Sequence, residues 1–488
     1  MKDTGILLAV SSLPGPYGAG ELGDEVIHWI DLLADSGIGV WQLLPLGPTG
    51  YGNSPYQTYS ARAGDPRYLS LAALYRDGLL EELPAPFDLP AGRVDYERVR
   101  ALREPWLRRA YGAFRPDEDF AAFAAQDWVR DYAVFAALKA RHGLACWLDW
   151  PEPDRSWPRT RDQAVTAAIG EEIGYQTFLQ YQFLRQWNRV RDYAHSRGLR
   201  LMGDVPFYVG IDSAEVWAGR ENFLLDSDGR PAFVAGVPPD YFSADGQRWG
   251  NPIYDWDRLR SDGYRFWVER IGYCQTLFDL IRIDHFRAFD TFWKIPASCP
   301  TAVEGEWVEA PGYAVLDALF DKLPGLNLVA EDLGDLRPQV LELRDHYQLP
   351  GMKVLSFTLE PAGRYIRDRE ADQARQVVYT GTHDNATAAE WYRALSPSCR
   401  RKLRRYLKVR GIQSGTMAHR LIRLGLQSRA DLCVVPLQDV LGLGGEARMN
   451  TPGTVGDHNW SWRVRAEALN PYVSGKLREI TRTYRRCL

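Results

Sequence analysis

The chain reads as an α/β protein built on a (β/α)8 TIM barrel with helical and loop insertions and no C-terminal β-sandwich. Three observations predict it. Eight short apolar runs recur along the 488 residues, most of them spaced widely enough for a crossover helix. Several of those runs end in an acid, and the C-terminal ends of the strands are where a parallel barrel gathers its polar groups. No flexible linker, internal repeat or low-complexity tract divides the chain. Residues 1–488 are therefore expected to form a single barrel, with a helical insertion at about 60–195 and a lid-loop insertion at about 206–278.

The first strand is expected over Ile6 to Val10, and the Gly/Pro-rich loop after it ends near Gly23. Apolar residues at 26, 27, 30, 33 and 34 form a helical stripe over residues 24–36, and Gly37 is a natural stop. Strand two is expected from Val40 to Leu46, followed by an irregular loop, residues 47–57, that carries Tyr51 and Tyr56. From about residue 60 the strand signal gives way to helical patterning, for example between Phe120 and Arg141. Strand three is expected over Leu199 to Tyr208 with Asp204 near its exit. The Pro/Gly-rich stretch 236–252 reads as a long irregular lid or binding loop. Strand four falls within residues 278–287, where the β-branched Ile281 and Ile283 favour a pleated surface. Strand five ends at Glu331, strand six spans Met352 to Phe357, strand seven ends at Asp384 and strand eight spans Asp431 to Pro436. A loop at 448–454 and a final helix complete the chain.

Charge at the end of a buried strand is costly unless it is used. Arg282 and Asp284 are two residues apart, so on a strand they share a face, and the cation holds the carboxylate ionised. The later runs end in Glu331 with Asp332 and in His383 with Asp384. Taken singly, each acid could equally cap a following helix, and His383 could equally be a satisfied core histidine. Three such acids, joined by Arg282 and His383, point instead to one site. Cleaving a glycosidic bond needs an ionised carboxylate at the anomeric carbon and a protonated one at the leaving oxygen. Asp284 suits the first role, and Glu331 the second if burial and neighbouring acids raise its pKa. Asp384 is placed to bind ring hydroxyls.

Composition narrows the partners. Lys and Arg number 59 against 63 Asp and Glu, a net charge of −4, which argues against nucleic acid. The cluster Arg400 to Arg405 reads as a solvated helix face. Six scattered Cys form no Cys-x-x-Cys pair, which suggests neither zinc ribbon nor disulfide framework and fits a reducing cytoplasm. No apolar run approaches the roughly twenty residues that span a bilayer, and the N-terminus lacks a cleavage-like site. No cofactor or metal is expected: the His residues lack ligand spacing and no Asp-x-Asp-x-Asp-Gly loop is present. The 17 Trp and 25 Tyr offer rings with polar edges that suit sugar faces.

Seven motifs together resemble the amylomaltase family of 4-α-glucanotransferases, in the α-amylase clan. They are Ser12-Leu13-Pro14, the loop Gly50 to Tyr56, Asp204-Val205-Pro206, the 236–252 loop, Arg282 to Arg287, Ala330 to Gly334, and Thr382-His383-Asp384-Asn385. The resemblance spans nearly the whole chain. It implies Asp284 as nucleophile, Glu331 as general acid/base and Asp384 as transition-state stabiliser. It further implies that Tyr56, Asp204, Arg282 and His383 line the subsite of the cleaved glucose, and that Asp240, Gln247 and Trp249 belong to the loop covering the glucan. Tyr51 would be an outer aromatic contact, and Asn450 a further substrate-binding residue. The partners implied are maltooligosaccharides and α-glucans, with transfer of a segment to the 4-hydroxyl of an acceptor, or within one chain to close a ring. A hydrolase on the same barrel and a non-catalytic glucan-binding barrel are the alternatives.

Overall fold

The computed structural model of the chain describes residues 2–239, 243–370 and 372–486. Eight strands form one parallel sheet: β1 Asp3–Leu7, β2 Val40–Gln42, β3 Arg200–Pro206, β4 Leu280–Asp284, β5 Leu328–Ala330, β6 Gly351–Val354, β7 Gln376–Tyr379 and β8 Leu432–Pro436. Their spatial order is β6, β7, β8, β1, β2, β3, β4, β5, so every neighbour in space is a neighbour in the chain or its wrap-around. The ends meet where Ala330 N donates to the Pro350 carbonyl at 2.9 Å and Met352 N donates to the Asp332 carboxylate at 2.7 Å. The sheet thus curls back on itself as a barrel. Its strands are buried on both sides, which is why they read as continuous apolar runs.

The strands are shorter than their apolar runs. β1 begins at Asp3 and ends at Leu7, while Leu8 to Val10 are equally buried but turn away into a 3-10 turn, Val10–Ser12. β2 pairs only through Gln42, and β6 ends at Val354, where a helical turn, Leu355–Thr358, begins.

Between β2 and β3 lie seven helices: Leu71–Arg76, Tyr96–Ala113, Glu118–Ala124, Asp127–Arg141, Glu152–Thr160, Gln163–Ala167 and Gly170–Ser196. The last, of 27 residues, is about 40 Å long at 1.5 Å per residue. Its side chains hold the loop that precedes it. Gln180 exchanges two hydrogen bonds with the backbone of Gly64 (2.8 and 2.9 Å), and Gln186 does the same with Ser70 (2.7 and 3.3 Å). Both amides are buried, so each bond replaces water that is absent there. The loop reaching up to Tyr56 is thereby fixed to a rigid helix.

The excursion between β3 and β4 is more regular than the sequence suggests. The described ends of the 236–252 stretch are paired strands: Phe233–Val237 pairs antiparallel with Gln247–Pro252. Phe233–Val237 also pairs with Thr291–Pro296, which pairs with Glu306–Glu309, giving a four-stranded antiparallel sheet beside the barrel mouth. The register slips opposite Ala235, and Gly250, with φ +81°, sits in the bulge. A bulge with a left-handed glycine bends its strand and re-aims the neighbouring side chains. Trp249 and Asn251 flank it. Among the described residues no helix is long and apolar enough to cross a membrane.

Candidate active site

Arg282 is the electrostatic centre. It is only 4% exposed, and its Nη1 donates to Asp284 Oδ1 at 2.9 Å and to Asp204 Oδ1 and Oδ2 at 2.7 and 2.8 Å. The fold dictates this set: Asp284 shares the strand face of Arg282, and Asp204 lies opposite Arg282 in the β3–β4 register. The two carboxylates differ in access. Asp204's side chain is 0% exposed and Asp284's 29%, so Asp204 anchors the cation while Asp284 turns surface to the cleft. Tyr56 Oη donates to Asp204 Oδ2 at 2.9 Å, and its ring stacks on His383 with centroids 5.0 Å apart.

Glu331 follows β5 directly. Ile283 pairs with Ala330, so Asp284 and Glu331 stand on the next rung of adjacent strands, which lie about 4.8 Å apart. After Asp284 the chain turns sharply at His285, whose φ is +59°. That left-handed turn points the His285 N–H at Glu331 Oε2, 2.8 Å away. Burial, and then the negative charge of Asp284, push the Glu331 pKa up to about 8, outweighing Arg282 and the His285 N–H. The group is therefore protonated at neutral pH.

Asp384 shows the opposite balance. Burial would raise its pKa, but the His383 charge, a hydrogen bond from that ring (Nε2 to Oδ2, 3.3 Å) and another from Asn450 Nδ2 (2.6 Å) bring it down to about 2. His383 responds reciprocally: burial opposes its charge, and the carboxylates of Asp384 and Asp204 more than restore it. One carboxyl pushed towards its neutral form near another, Asp384, held charged is the division of labour that acid-assisted displacement requires. Asn450 also donates its backbone N–H to the His383 carbonyl at 3.1 Å. Asn450→Ala is expected to lower kcat roughly 10- to 100-fold, the loss of a hydrogen bond to a charged group, with the thermal midpoint little changed. Steady-state kinetics on maltotriose together with a thermal melt checks this.

The remaining sequence candidates are spread along the mouth. Trp249 packs edge-on against His285 with centroids 4.8 Å apart, and its Nε1 donates to Gln247 Oε1 at 3.2 Å. Tyr51 stands on the rim, 83% exposed. Asp240, with Tyr241 and Phe242, lies outside the described residues.

Two site residues, Trp460 and Arg448, were not singled out from the sequence, and a third, His285, falls inside the Arg282 to Arg287 motif. Trp460 packs against both Tyr56 (5.7 Å) and His383 (5.8 Å) from a left-handed backbone, φ +61°. Arg448 donates to the backbone carbonyls of Asp384 (3.1 Å) and Asn450 (2.8 Å). The His285 ring is buried, which drives its pKa down to about 4 and keeps it neutral. The signal for Trp460 was an aromatic in a Gly/Asp/Asn-rich stretch, the same composition that marked Tyr56.

A family model described as 4-alpha-glucanotransferase matches residues 8–469. The chain is 45% identical over 487 residues to the 4-alpha-glucanotransferase of Thermus thermophilus, covering 97% of each chain. It is 44% identical over 501 residues to that of Synechocystis, covering 99% of this chain and 98% of the relative. The solved amylomaltase from Streptococcus agalactiae in complex with acarbose superposes with a TM-score of 0.94 at 32% identity, over 100% of both chains. On that agreement of sequence, fold and length, the chain belongs to the 4-alpha-glucanotransferase family.

Proposed function

We propose that the chain cleaves α-1,4-glucan by a retaining double displacement and passes the released segment to the 4-hydroxyl of an acceptor glucan or glucose. It is a transferase of glucan segments by family; what we add is the assignment of roles. Asp284, paired with Arg282 at 2.9 Å, attacks the anomeric carbon. Glu331 gives its proton to the departing 4-oxygen. Once Asp284 is esterified its charge is gone, so one cause of the raised Glu331 pKa disappears and the carboxylate can take a proton from the acceptor. Asp384, anchored by His383 and Asn450, accepts hydrogen bonds from ring hydroxyls as the sugar flattens. Tyr56, Asp204, Arg282 and His383 line the subsite of the cleaved glucose, with Asp240, Gln247, Trp249, Tyr51 and Asn450 contacting the rest of the glucan.

The observation that carries this reading is the adjacent-rung placement of Asp284 and Glu331. Neighbouring strands support a carboxyl separation near the ~5–5.5 Å of retaining enzymes, without room for the water that inversion needs between them. No step calls for a metal or organic cofactor. The single barrel with insertions at about 60–195 and 206–278 supplies the walls of the cleft, and the scattered thiols and net charge of −4 fit a cytoplasmic protein with no nucleic-acid partner.

Incubation with maltotriose tests the reading. Glucose together with a ladder of longer maltodextrins is expected, while products no longer than the substrate would mark a hydrolase. Transfer beats hydrolysis only if water is kept from the intermediate and the acceptor is held at high effective concentration. The 233–252 hairpin beside the mouth is suited to that task. Replacing residues 238–246 by a two-residue turn is expected to raise the hydrolysis-to-transfer ratio several-fold; an unchanged ratio of reducing ends to transfer products removes the hairpin from the explanation.

A further inference from the structure

Asp439 sits in a short helix, Leu437–Leu441, immediately after β8, and is 1% exposed. Its two carboxylate oxygens point to different places. Oδ2 accepts from Thr380 Oγ1 at 2.6 Å, and Oδ1 accepts from Ala388 N at 2.7 Å. Thr380 is the first residue after β7, and Ala388 opens the helix Ala388–Ala394. Between those two anchors runs the loop that carries His383 and Asp384. A single buried carboxylate thus ties together the start and the end of the segment on which Asp384 stands.

The arrangement is costly for stability alone. Among the described residues no ion pair is formed by Asp439, and a buried carboxylate without a cation is expensive to desolvate. A neutral side chain would pack more cheaply, whereas hydrogen bonds to an ionised acceptor are about twice as strong as neutral ones. A cavity of about 20 Å³ borders the loop, lined by Gly381, Thr382, His383, Asn385, Asp439 and Met449 among others.

We infer that Asp439 is a positioning residue for the transferase reaction, clamping the 380–388 loop so that Asp384 meets the sugar at the geometry of the transition state. The inference rests on the reading of Asp384 as the stabilising carboxylate. Asp439 touches no substrate and acts through the loop. Its removal should lower kcat while leaving KM nearly constant, because an interaction made only in the transition state is what is lost.

The test is a double-mutant cycle on maltotriose disproportionation. Asp439→Ala in the wild-type background is expected to lower kcat roughly 30- to 300-fold, with KM within about threefold, as two hydrogen bonds to a charged acceptor disappear. Asp439→Asn, which keeps one acceptor, should recover part of that loss. In an Asp384→Ala background, Asp439→Ala should cost less than about threefold, since there is no longer a carboxylate to position. An equal loss in both backgrounds, or full kcat in Asp439→Ala, overturns the inference. If Asp384→Ala itself costs nothing, the role of Asp384 fails instead, and the two failures are distinguishable. Should Asp439→Ala not fold, Thr380→Val releases one end of the loop and carries the same cycle, with an expected loss of about tenfold.

Discussion

Asp284→Asn is expected to lower kcat for maltotriose disproportionation by about four orders of magnitude or more, equivalent to roughly 5 kcal/mol of transition-state stabilisation. An amide oxygen can still accept from Arg282 Nη1, so the ion-pair site keeps its shape and the thermal midpoint should move little. What is lost is the nucleophile. The choice of Asp284 over Asp204 follows from access: both bond the same guanidinium, but only Asp284 has side-chain surface open to the cleft. The smaller variant Asp284→Ala leaves space on that face of the sugar, where an added small anion such as azide can attack. With an α-glucosyl fluoride donor the rescued product is expected to be the β-glucosyl azide, which proton NMR identifies by its anomeric coupling. Activity of Asp284→Asn within tenfold of wild type, or an α-azide, would remove Asp284 from the mechanism.

The parts legible in the sequence were those where chemistry conflicts with burial. Asp204, Arg282, Asp284, Glu331 and Asp384 stand at the ends of apolar runs, where charge is expensive, and that conflict marks a site whatever the fold. The barrel itself was readable from the recurrence of those runs. Their lengths misled, because an apolar run records burial and not extension. Leu8 to Val10 and Leu43 to Leu46 are as buried as the strands they follow, but only their first residues, Leu8 and Leu43, still hydrogen-bond to the neighbouring strand before the chain turns away. Non-local pairing was hidden more deeply. Phe233–Val237 is a strand because Thr291–Pro296, more than fifty residues later, supplies its second edge. Its other partner, Gln247–Pro252, is disguised by Gly250 and Pro252. Nor does any local pattern announce that Gln180 and Gln186 hold the backbone of the Tyr56 loop, since glutamine on a helix is ordinarily a surface residue.

Glu331→Gln should separate the two halves of the reaction. On maltotriose, whose leaving sugar needs a proton, kcat is expected to fall about 10³- to 10⁴-fold, near the upper range for general-acid assistance. With α-glucosyl fluoride the leaving group needs no proton, so the first step survives. The second step lacks its base, and a burst of about one equivalent of fluoride followed by slow turnover is expected. Electrode measurement of fluoride detects it, and steady release without a burst would assign the proton transfers elsewhere. The raised pKa gives this residue a pH signature of definite sign. Burial and the Asp284 charge lift Glu331 to about 8, so the acid form predominates below that pH and is lost above it. Wild-type kcat/KM on maltotriose should accordingly fall with an alkaline limb near pH 8, and that limb should be absent for fluoride release by Glu331→Gln. Stability moves in the same window. A carboxyl whose folded pKa exceeds its unfolded one binds more protons when folded, so the protein loses stability as pH rises from the ordinary carboxylate range towards 8. Gln carries no such charge. Glu331→Gln is therefore expected to raise the thermal midpoint more at pH 8.5 than at pH 5, which scanning calorimetry at the two pH values measures. A gain that is equal at both would mean that the glutamate is not held protonated, and the same result would deny the enzyme its general acid.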